Sequence, residues 1–115
     1  MRPIRLSRAS GWYVLREAAL LTGISKSAMF RAAIYGVLRL VKGPRTGRWF
    51  VRMAELRAAP ILTIGAGAKR MGVCYQTVRR WAVGRNITTS VWRDGGARRI
   101  SLQEIARVIR ERRNR

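Results

Sequence analysis

Gln76, Arg79 and Arg80 are the side chains whose types and spacing best suit one chemical task. They are adjacent or three to four positions apart, so on an α-helix they share one face, opposite Val78 and Trp81. In the major groove of duplex DNA, arginine can make a bidentate bond to guanine, and glutamine can make one to adenine. The spacing therefore predicts a helix that contacts base edges, although most arginine pairs on helices are only solvated.

Residues near the start of two predicted helices extend this candidate surface. Tyr75 and Thr77 suit contacts to backbone phosphates. A second outward-facing set lies 49 residues earlier and has only two cations; it consists of Lys26, Ser27, Phe30 and Arg31. For Phe30 two alternatives stay open, because it either contacts a thymine methyl group or packs within the protein.

Basic residues also occupy the turns and the N-terminal segment. The predicted hairpins carry Arg45 and Arg48 in the first half of the chain and Arg93, Arg98 and Arg99 in the second. Arginines at such tips meet phosphates or enter a minor groove, whose negative potential attracts them, and we favour phosphates. The N-terminal arm carries Arg2, Arg5 and Arg8. This arm either follows the DNA backbone or minor groove, or is a disordered tail in the free protein.

The composition excludes several classes of protein. The 115 residues include 25 basic and five acidic ones and no histidine, which gives a net charge of +20. With so few carboxylates there is almost no general acid or base, so we expect neither an enzyme nor a cofactor. The single cysteine excludes a disulfide within the chain and a Cys/His zinc site. At 48% hydrophobic residues, the chain still has enough apolar side chains to fold.

We expect the apolar residues to form an interior rather than to enter a membrane. Basic residues interrupt every apolar run well short of a membrane span, and the N-terminal segment lacks the features of a secretory signal. The expected location is cytoplasmic. We expect Cys74 to be a small buried residue in a turn. The tryptophans are expected to anchor the core; they are Trp12, Trp49, Trp81 and Trp92.

The chain contains an internal repeat with an offset of 49 residues. The identical pairs are Ala19 with Ala68, Gly23 with Gly72, Arg31 with Arg80, Ala33 with Ala82, Gly47 with Gly96, and Glu55 with Glu104. Residues 1–60 and 61–115 each carry a net charge of +10. We predict a basic arm at 1–11, a first unit at 12–59 and a second unit at 60–115 that ends in a basic helix.

Each unit shows helical periodicity first and strand-like segments later. In the first unit, a short helix ends near Gly23 and Ser25 caps a second helix. Strands are predicted at 38–41 and 49–51, followed by a third helix from about 53. The fold class predicted is therefore mainly α with small β hairpins, an α+β protein of two tandem units.

The second unit repeats this order. Thr63 caps a helix that runs through 70 or 71, and a second helix covers 75–83. Strands at 88–92 and 98–100 flank a turn at 93–96. Ser101 and Glu104 form a capping box for the last helix. The inward face of that helix is predicted to contain Leu102, Ile105, Ala106 and Ile109.

These residues resemble the winged helix-turn-helix DNA-binding domain of the MerR and excisionase type, present twice over nearly the whole chain. The first unit shows Glu17-Ala18-Ala19, Gly23-Ile24-Ser25, Arg31, Gly47-Arg48-Trp49 and Glu55-Leu56. The second shows Gly72-Val73, Thr77-Val78-Arg79-Arg80-Trp81, Gly95-Gly96, Arg98-Arg99-Ile100 and Glu104-Ile105. Each unit departs from the pattern somewhere; for example, Cys74 stands where the family has a capping serine.

The resemblance implies sequence-specific binding of double-stranded DNA, and a short linker between tandem units predicts half-sites in direct repeat. The role implied is a small transcriptional regulator or an excisionase-like factor that bends DNA and directs a recombinase. Partners would then be RNA polymerase or a recombinase, with cooperative self-association on DNA. The resemblance also implies a nucleoid-associated protein that is bacterial or phage-encoded. The alternative from another class is an RNA-binding or virion structural protein that uses its charges as counterions.

Overall fold

Two units of similar construction make up the chain, and they divide between Arg57 and Ala58. The computed structural model describes residues 6–84, 86–93 and 96–113. Within these ranges there are six α-helices and two three-stranded antiparallel sheets, so the predicted α+β class is confirmed. The division lies two residues before the predicted boundary between 59 and 60.

The first unit begins with a short 3₁₀ turn, Arg8–Ser10. Its elements are β1 (Trp12–Val14), α1 (Leu15–Thr22), α2 (Lys26–Ile34), β2 (Leu40–Lys42), β3 (Trp49–Arg52) and α3 (Met53–Ala58), whose last residue follows the division. Strand β3 lies between β1 and β2. Met29 of α2, Val51 of β3 and Leu56 of α3 are fully buried in the core of this unit. Burial of such side chains stabilises the unit by about 1.5–3 kcal/mol each.

Local signals set the ends of the two helices that precede the hairpin. Gly23 follows α1 with a φ of 75°, a left-handed conformation that favours glycine, and its N–H donates to Ala19 O. Ser25 begins α2, because its Oγ accepts a hydrogen bond of 3.1 Å from Ala28 N. Both predictions are confirmed.

The second unit has the same order. Its elements are β4 (Leu62–Thr63), α4 (Ile64–Met71), α5 (Tyr75–Val83), β5 (Ser90–Val91), β6 (Arg98–Ile100) and α6 (Leu102–Arg113). Strand β6 is central, and Val78 and Ile100 are fully buried in the core. Thr63 caps α4 through a 3.3 Å bond from Ala66 N, and Gly72 ends it with a φ of 70°. The predicted α5 has the observed bounds.

The repeat holds in three dimensions at a constant spacing. Helices α1 and α4, and likewise α2 and α5, begin and end 49 residues apart. Strand register obeys the same rule, since Tyr13 lies opposite Val51 and Leu62 lies opposite Ile100. The two units therefore present corresponding positions that can be compared residue by residue.

Several predicted details are wrong. Strands β1 and β4 were not expected, and the observed β2 and β5 are shorter than, or shifted from, 38–41 and 88–92. In α6, Ala106 is exposed and Val108 is buried instead. The helix is therefore rotated relative to the expected face, with Ile105 and Val108 as its inward pair.

Glu104 makes one of the two hydrogen bonds of the predicted capping box. Its N–H donates to Ser101 Oγ at 3.0 Å, but its carboxylate bonds to other groups than Ser101 N. Its carboxylate accepts hydrogen bonds from Thr88 N and from Arg107 Nε. The Arg107 bond is the main reason why the pKa of Glu104 lies below its usual value, against the opposing effect of burial. The carboxylate thus joins α6 to the segment before β5.

Glu55 holds the corresponding position in the first unit without the corresponding partners. Its Oε2 is buried and has no hydrogen-bond partner among the described residues. Ala58 stands where the second unit has Arg107, at the same spacing of three residues along the helix. Leaving a buried acceptor unpaired costs about 1–3 kcal/mol. The first unit therefore has an unpaired buried carboxylate oxygen, whereas the corresponding carboxylate of the second unit is paired with Arg107.

Replacing Ala58 with arginine is expected to raise the free energy of unfolding of the first unit by about 1 kcal/mol. The new guanidinium would reach Glu55 as Arg107 reaches Glu104, and Ala58 is exposed, so the side chain has room. Chemical denaturation of the full chain measures the change. The matched control is Ala58→Arg in a Glu55→Gln background, because it adds the same charge at the same end of the helix without the carboxylate. Equal effects in the two backgrounds would contradict the pairing.

Candidate nucleic-acid interface

Helix α2 presents the predicted outward set to solvent. Lys26, Ser27, Phe30 and Arg31 are exposed on α2. On the opposite side, Met29 and Ala32 are fully buried. The helix is held by its inner face, so its outer face is free for a ligand.

Helix α5 presents the corresponding set in the second unit. Tyr75, Gln76, Arg79 and Arg80 are exposed there, while Val78 is fully buried. Gln76 and Arg80 lie four positions apart and form one stripe along the helix. The side chains proposed from spacing alone are thus together on one surface.

Thr77 and Cys74 form a pair at the start of α5. The Cys74 Sγ lies 3.1 Å from Thr77 Oγ1, and Thr77 is half-buried. Cys74 is exposed, so the prediction that it is buried is wrong. The turn places it at the first position before the helix, where side chains face solvent. The Thr77 hydroxyl, followed by backbone hydrogen bonds, lowers the pKa of the Cys74 thiol.

The hairpin of the first unit carries two exposed arginines, Arg45 and Arg48. Gly43 N donates to Arg48 O at 2.7 Å, which closes the hairpin, and Gly47 adopts a φ of 67°. The closed turn leaves both guanidinium groups directed away from the core.

The arginines of the second hairpin divide between two environments. Arg93 and Arg98 are exposed, and Arg98 Nη1 donates to Thr89 Oγ1 at 3.1 Å. Arg99 is half-buried instead. Its Nη1 donates to Ile61 O at 2.9 Å, and its guanidinium lies 3.7 Å from the centroid of the Trp92 ring. Arg99 therefore stabilises the second unit through contacts within it. Asp94 and Gly95 of the predicted turn lie outside the described residues.

The N-terminal arm is described only in part. Arg2 and Arg5 lie outside the described residues. Arg8 belongs to the 3₁₀ turn, and it forms an ion pair with Glu17 on α1. Its charge is therefore partly compensated within the first unit.

The tryptophans do not share one environment. Trp12 and Trp92 are buried as predicted, and Trp81 is partly buried against the second core. Trp49 is 39% exposed, so the prediction of a core anchor is wrong for it. It lies on the same sheet face as buried Val51 but two residues further out, beyond the edge of the core. Its ring meets the Phe30 ring in a T-shaped contact at 6.0 Å between centroids and 88° between planes.

A groove between the first two helices and the hairpin occurs in each unit, at corresponding positions. The first groove is lined by Val14, Leu15, Arg16, Lys26, Phe30, Gly47, Arg48 and Trp49. The second groove is lined by Thr63, Ile64, Gly65, Tyr75, Arg79, Ala82, Val83, Ala97 and Arg98. Seven positions of the two linings are 49 residues apart. In both units, residues of the second helix and of the hairpin therefore meet at one site.

The chain matches no family model, no curated protein and no solved structure. What the grooves can do must follow from their own chemistry. Across the described ranges, no three residues of the types His, Cys, Asp and Glu cluster as a metal site would require. None of the helices described is long and apolar enough to cross a membrane.

Positive charge dominates both grooves. Carboxylates of the described chain lie elsewhere: Glu17 pairs with Arg8, and Glu104 and Glu111 share Arg107. No carboxylate lines either groove in the part of the chain that the structure describes. Such uncompensated cations in a concave site attract a polyanion. The arrangement can hold a phosphodiester strand while the exposed helix faces bond to base edges.

Proposed function

We propose that this chain binds double-stranded DNA in a sequence-specific manner through two tandem winged helix-turn-helix units, and that it acts as a transcriptional regulator. The observation that carries the proposal is the repeated groove, which joins cations from the second helix and the hairpin. In the first unit these are Lys26 and Arg48, and in the second they are Arg79 and Arg98.

The dimensions of DNA support this assignment. An exposed α-helix of nine residues, such as α2 or α5, fits the major groove. A hairpin beside such a helix then lies over the neighbouring backbone, where Arg45, Arg48, Arg93 and Arg98 can contact phosphates. Gln76 and Arg80 are left on the exposed stripe of α5, and their amide and guanidinium groups suit adenine and guanine.

The tandem order of the units supports a direct repeat in the DNA site. Each unit would contact one half-site, and neighbouring half-sites on one face of the duplex are about 10–10.5 base pairs apart. Two DNA-binding units on one chain give the specificity that a regulator ordinarily obtains by dimerising. No separate effector unit is needed for a repressor that acts by occupying its site.

Selection of bound duplexes from a random-sequence library tests the proposal. The full chain is incubated with the library at near-physiological salt in the presence of single-stranded RNA as competitor. We expect enrichment of two half-sites in direct repeat, about one helical turn apart. The absence of an enriched motif, with effective competition by RNA, would overturn the proposal and favour a protein that neutralises nucleic-acid charge regardless of sequence.

A further inference from the structure

The two grooves share a frame but differ in chemistry. Positions 30 and 49 hold Phe30 and Trp49 in the first groove, and the corresponding positions in the second hold Arg79 and Arg98. We propose that the first groove binds the 5-methyl group of a thymine through Phe30 and Trp49, so that only the first unit requires a thymine in its half-site. This inference rests on the proposed function, since it names the chemical group that one of the two DNA-binding surfaces recognises.

Exposure of the aromatic pair is the first support. Phe30 is 38% exposed and Trp49 is 39% exposed, although each ring could bury more surface in a core. Aromatic rings contribute large favourable energies when an apolar group covers them. The pair therefore leaves an exposed aromatic patch beside the cations of the first groove.

The charges around this patch indicate what covers it. Lys26 lies one helical turn before Phe30, and Arg16 and Arg48 line the same groove. A ligand that satisfies both features carries anionic groups beside a small apolar group. DNA has this combination in its major groove, where the thymine methyl is the apolar group on the base edges and the phosphates flank it.

The geometry of the rings favours a methyl group over a stacked base. A base that stacks on an aromatic residue needs an open ring face. Here the edge of one ring meets the face of the other, at 88° between planes, and about three-fifths of each side chain is already covered. The apolar area that remains is suited to a methyl group, so a paired thymine in a duplex fits better than an unpaired base.

The second groove lacks this pair of rings; its exposed apolar side chains are Tyr75 and Val83, which both lie on the helix and not on the hairpin. Arg79 and Arg98 replace both rings, and an arginine there bonds to phosphates or to guanine rather than to a methyl group. A requirement for thymine should therefore occur in one half-site only. This asymmetry would orient the chain on its DNA site, because the two half-sites are not interchangeable.

Uracil substitution in the selected duplex tests the inference, because uracil is thymine without the 5-methyl group. Each thymine of the enriched duplex is replaced singly by uracil, and the dissociation constant is measured with the full chain. We expect at least one position in one half-site to show a loss of about fourfold, as for one buried methyl-sized group. Positions in the other half-site should be unaffected.

Protein variants assign the effect to the first groove. Phe30→Ala should abolish the difference between thymine and uracil at that position. Ile34→Ala is the matched control, since Ile34 is 78% exposed on the same helix and does not line the groove, and it should preserve the difference. Arg79→Ala should weaken binding to both duplexes equally and leave their ratio unchanged.

The outcomes separate this inference from the proposed function. If a motif is enriched but no thymine is sensitive to uracil, or if Phe30→Ala still discriminates, the methyl contact is wrong and the DNA-binding function stands. If single-stranded nucleic acid displaces the duplex without any enriched motif, both fail. If Phe30→Ala does not fold, Trp49→Ala tests the other ring of the pair, which is 39% exposed, and retention of the thymine preference in that variant overturns the inference.

Discussion

Between 50 and 200 mM monovalent salt, the affinity of the chain for its selected duplex is expected to fall by about 10³- to 10⁵-fold, as for roughly six to ten phosphate contacts. The candidate contacts come from exposed cations of the second helices and hairpins. They are Lys26, Arg31, Arg45, Arg48, Arg79, Arg93 and Arg98. Each neutralised phosphate releases counterions, and this release is less favourable when the salt concentration is higher.

Dissociation constants at several salt concentrations give the slope of the logarithmic plot. Each phosphate contact contributes about −0.9 to that slope, so Arg48→Ala should make it shallower by about one. Arg110→Ala removes the same charge from an exposed position of α6 that lines neither groove, and should leave the slope nearly unchanged. A flat plot for the wild-type chain would contradict the whole scheme of phosphate contacts.

Salt dependence does not by itself separate sequence-specific binding from charge neutralisation. A packaging protein with a net charge of +20 would also release counterions from its nucleic acid. The distinction depends on whether particular side chains of α5 matter more than other side chains of equal charge. The comparison is possible because exposed arginines occur on α5, such as Arg80, and on α6, such as Arg113.

The local elements were predictable because the signals that define them are local. Gly72 ends α4 through its positive φ, and the periodicity of α5 places Val78 inside and Arg79 and Arg80 outside. Because the repeat has an offset of 49 residues, α1 and α2 in the first unit and α4 and α5 in the second were each predicted at corresponding positions. The short strands β1 and β4 were missed because two or three residues are too few to show an alternating pattern.

The errors in the site come from contacts between residues far apart in sequence. In the sequence, Arg99 cannot be distinguished from the other hairpin arginines. In the fold, β6 places its side chain against Ile61 and Trp92. Alternation along β3 places Trp49 on the same face as Val51, but it does not show where the core ends. The 49-residue offset already pairs Phe30 with Arg79 and Trp49 with Arg98 in the sequence. Only the fold shows that these positions meet in one groove of each unit.

Arg80→Ala is expected to weaken binding to the selected duplex by about 1–3 kcal/mol and to relax the base preference at one position. Arg80 is exposed on the stripe that includes Gln76, and it does not line the groove where Arg79 and Arg98 meet. That position suits a bidentate contact to the edge of guanine rather than a contact to phosphate. The loss should therefore be large for the selected sequence and small for duplexes that already lack the guanine.

Arg113→Ala is the control of equal charge, because Arg113 is exposed in the last turn of α6. It should weaken all duplexes slightly and by the same factor, since a distant cation acts on the phosphates collectively. Repeating the library selection with each variant measures base preference, and titration with the selected duplex measures affinity. Equal and sequence-independent losses from both variants would remove the case for base recognition by α5. A specific loss for Arg80→Ala alone would mean that the helix face recognises sequence, and that the charge elsewhere mainly strengthens binding and speeds association.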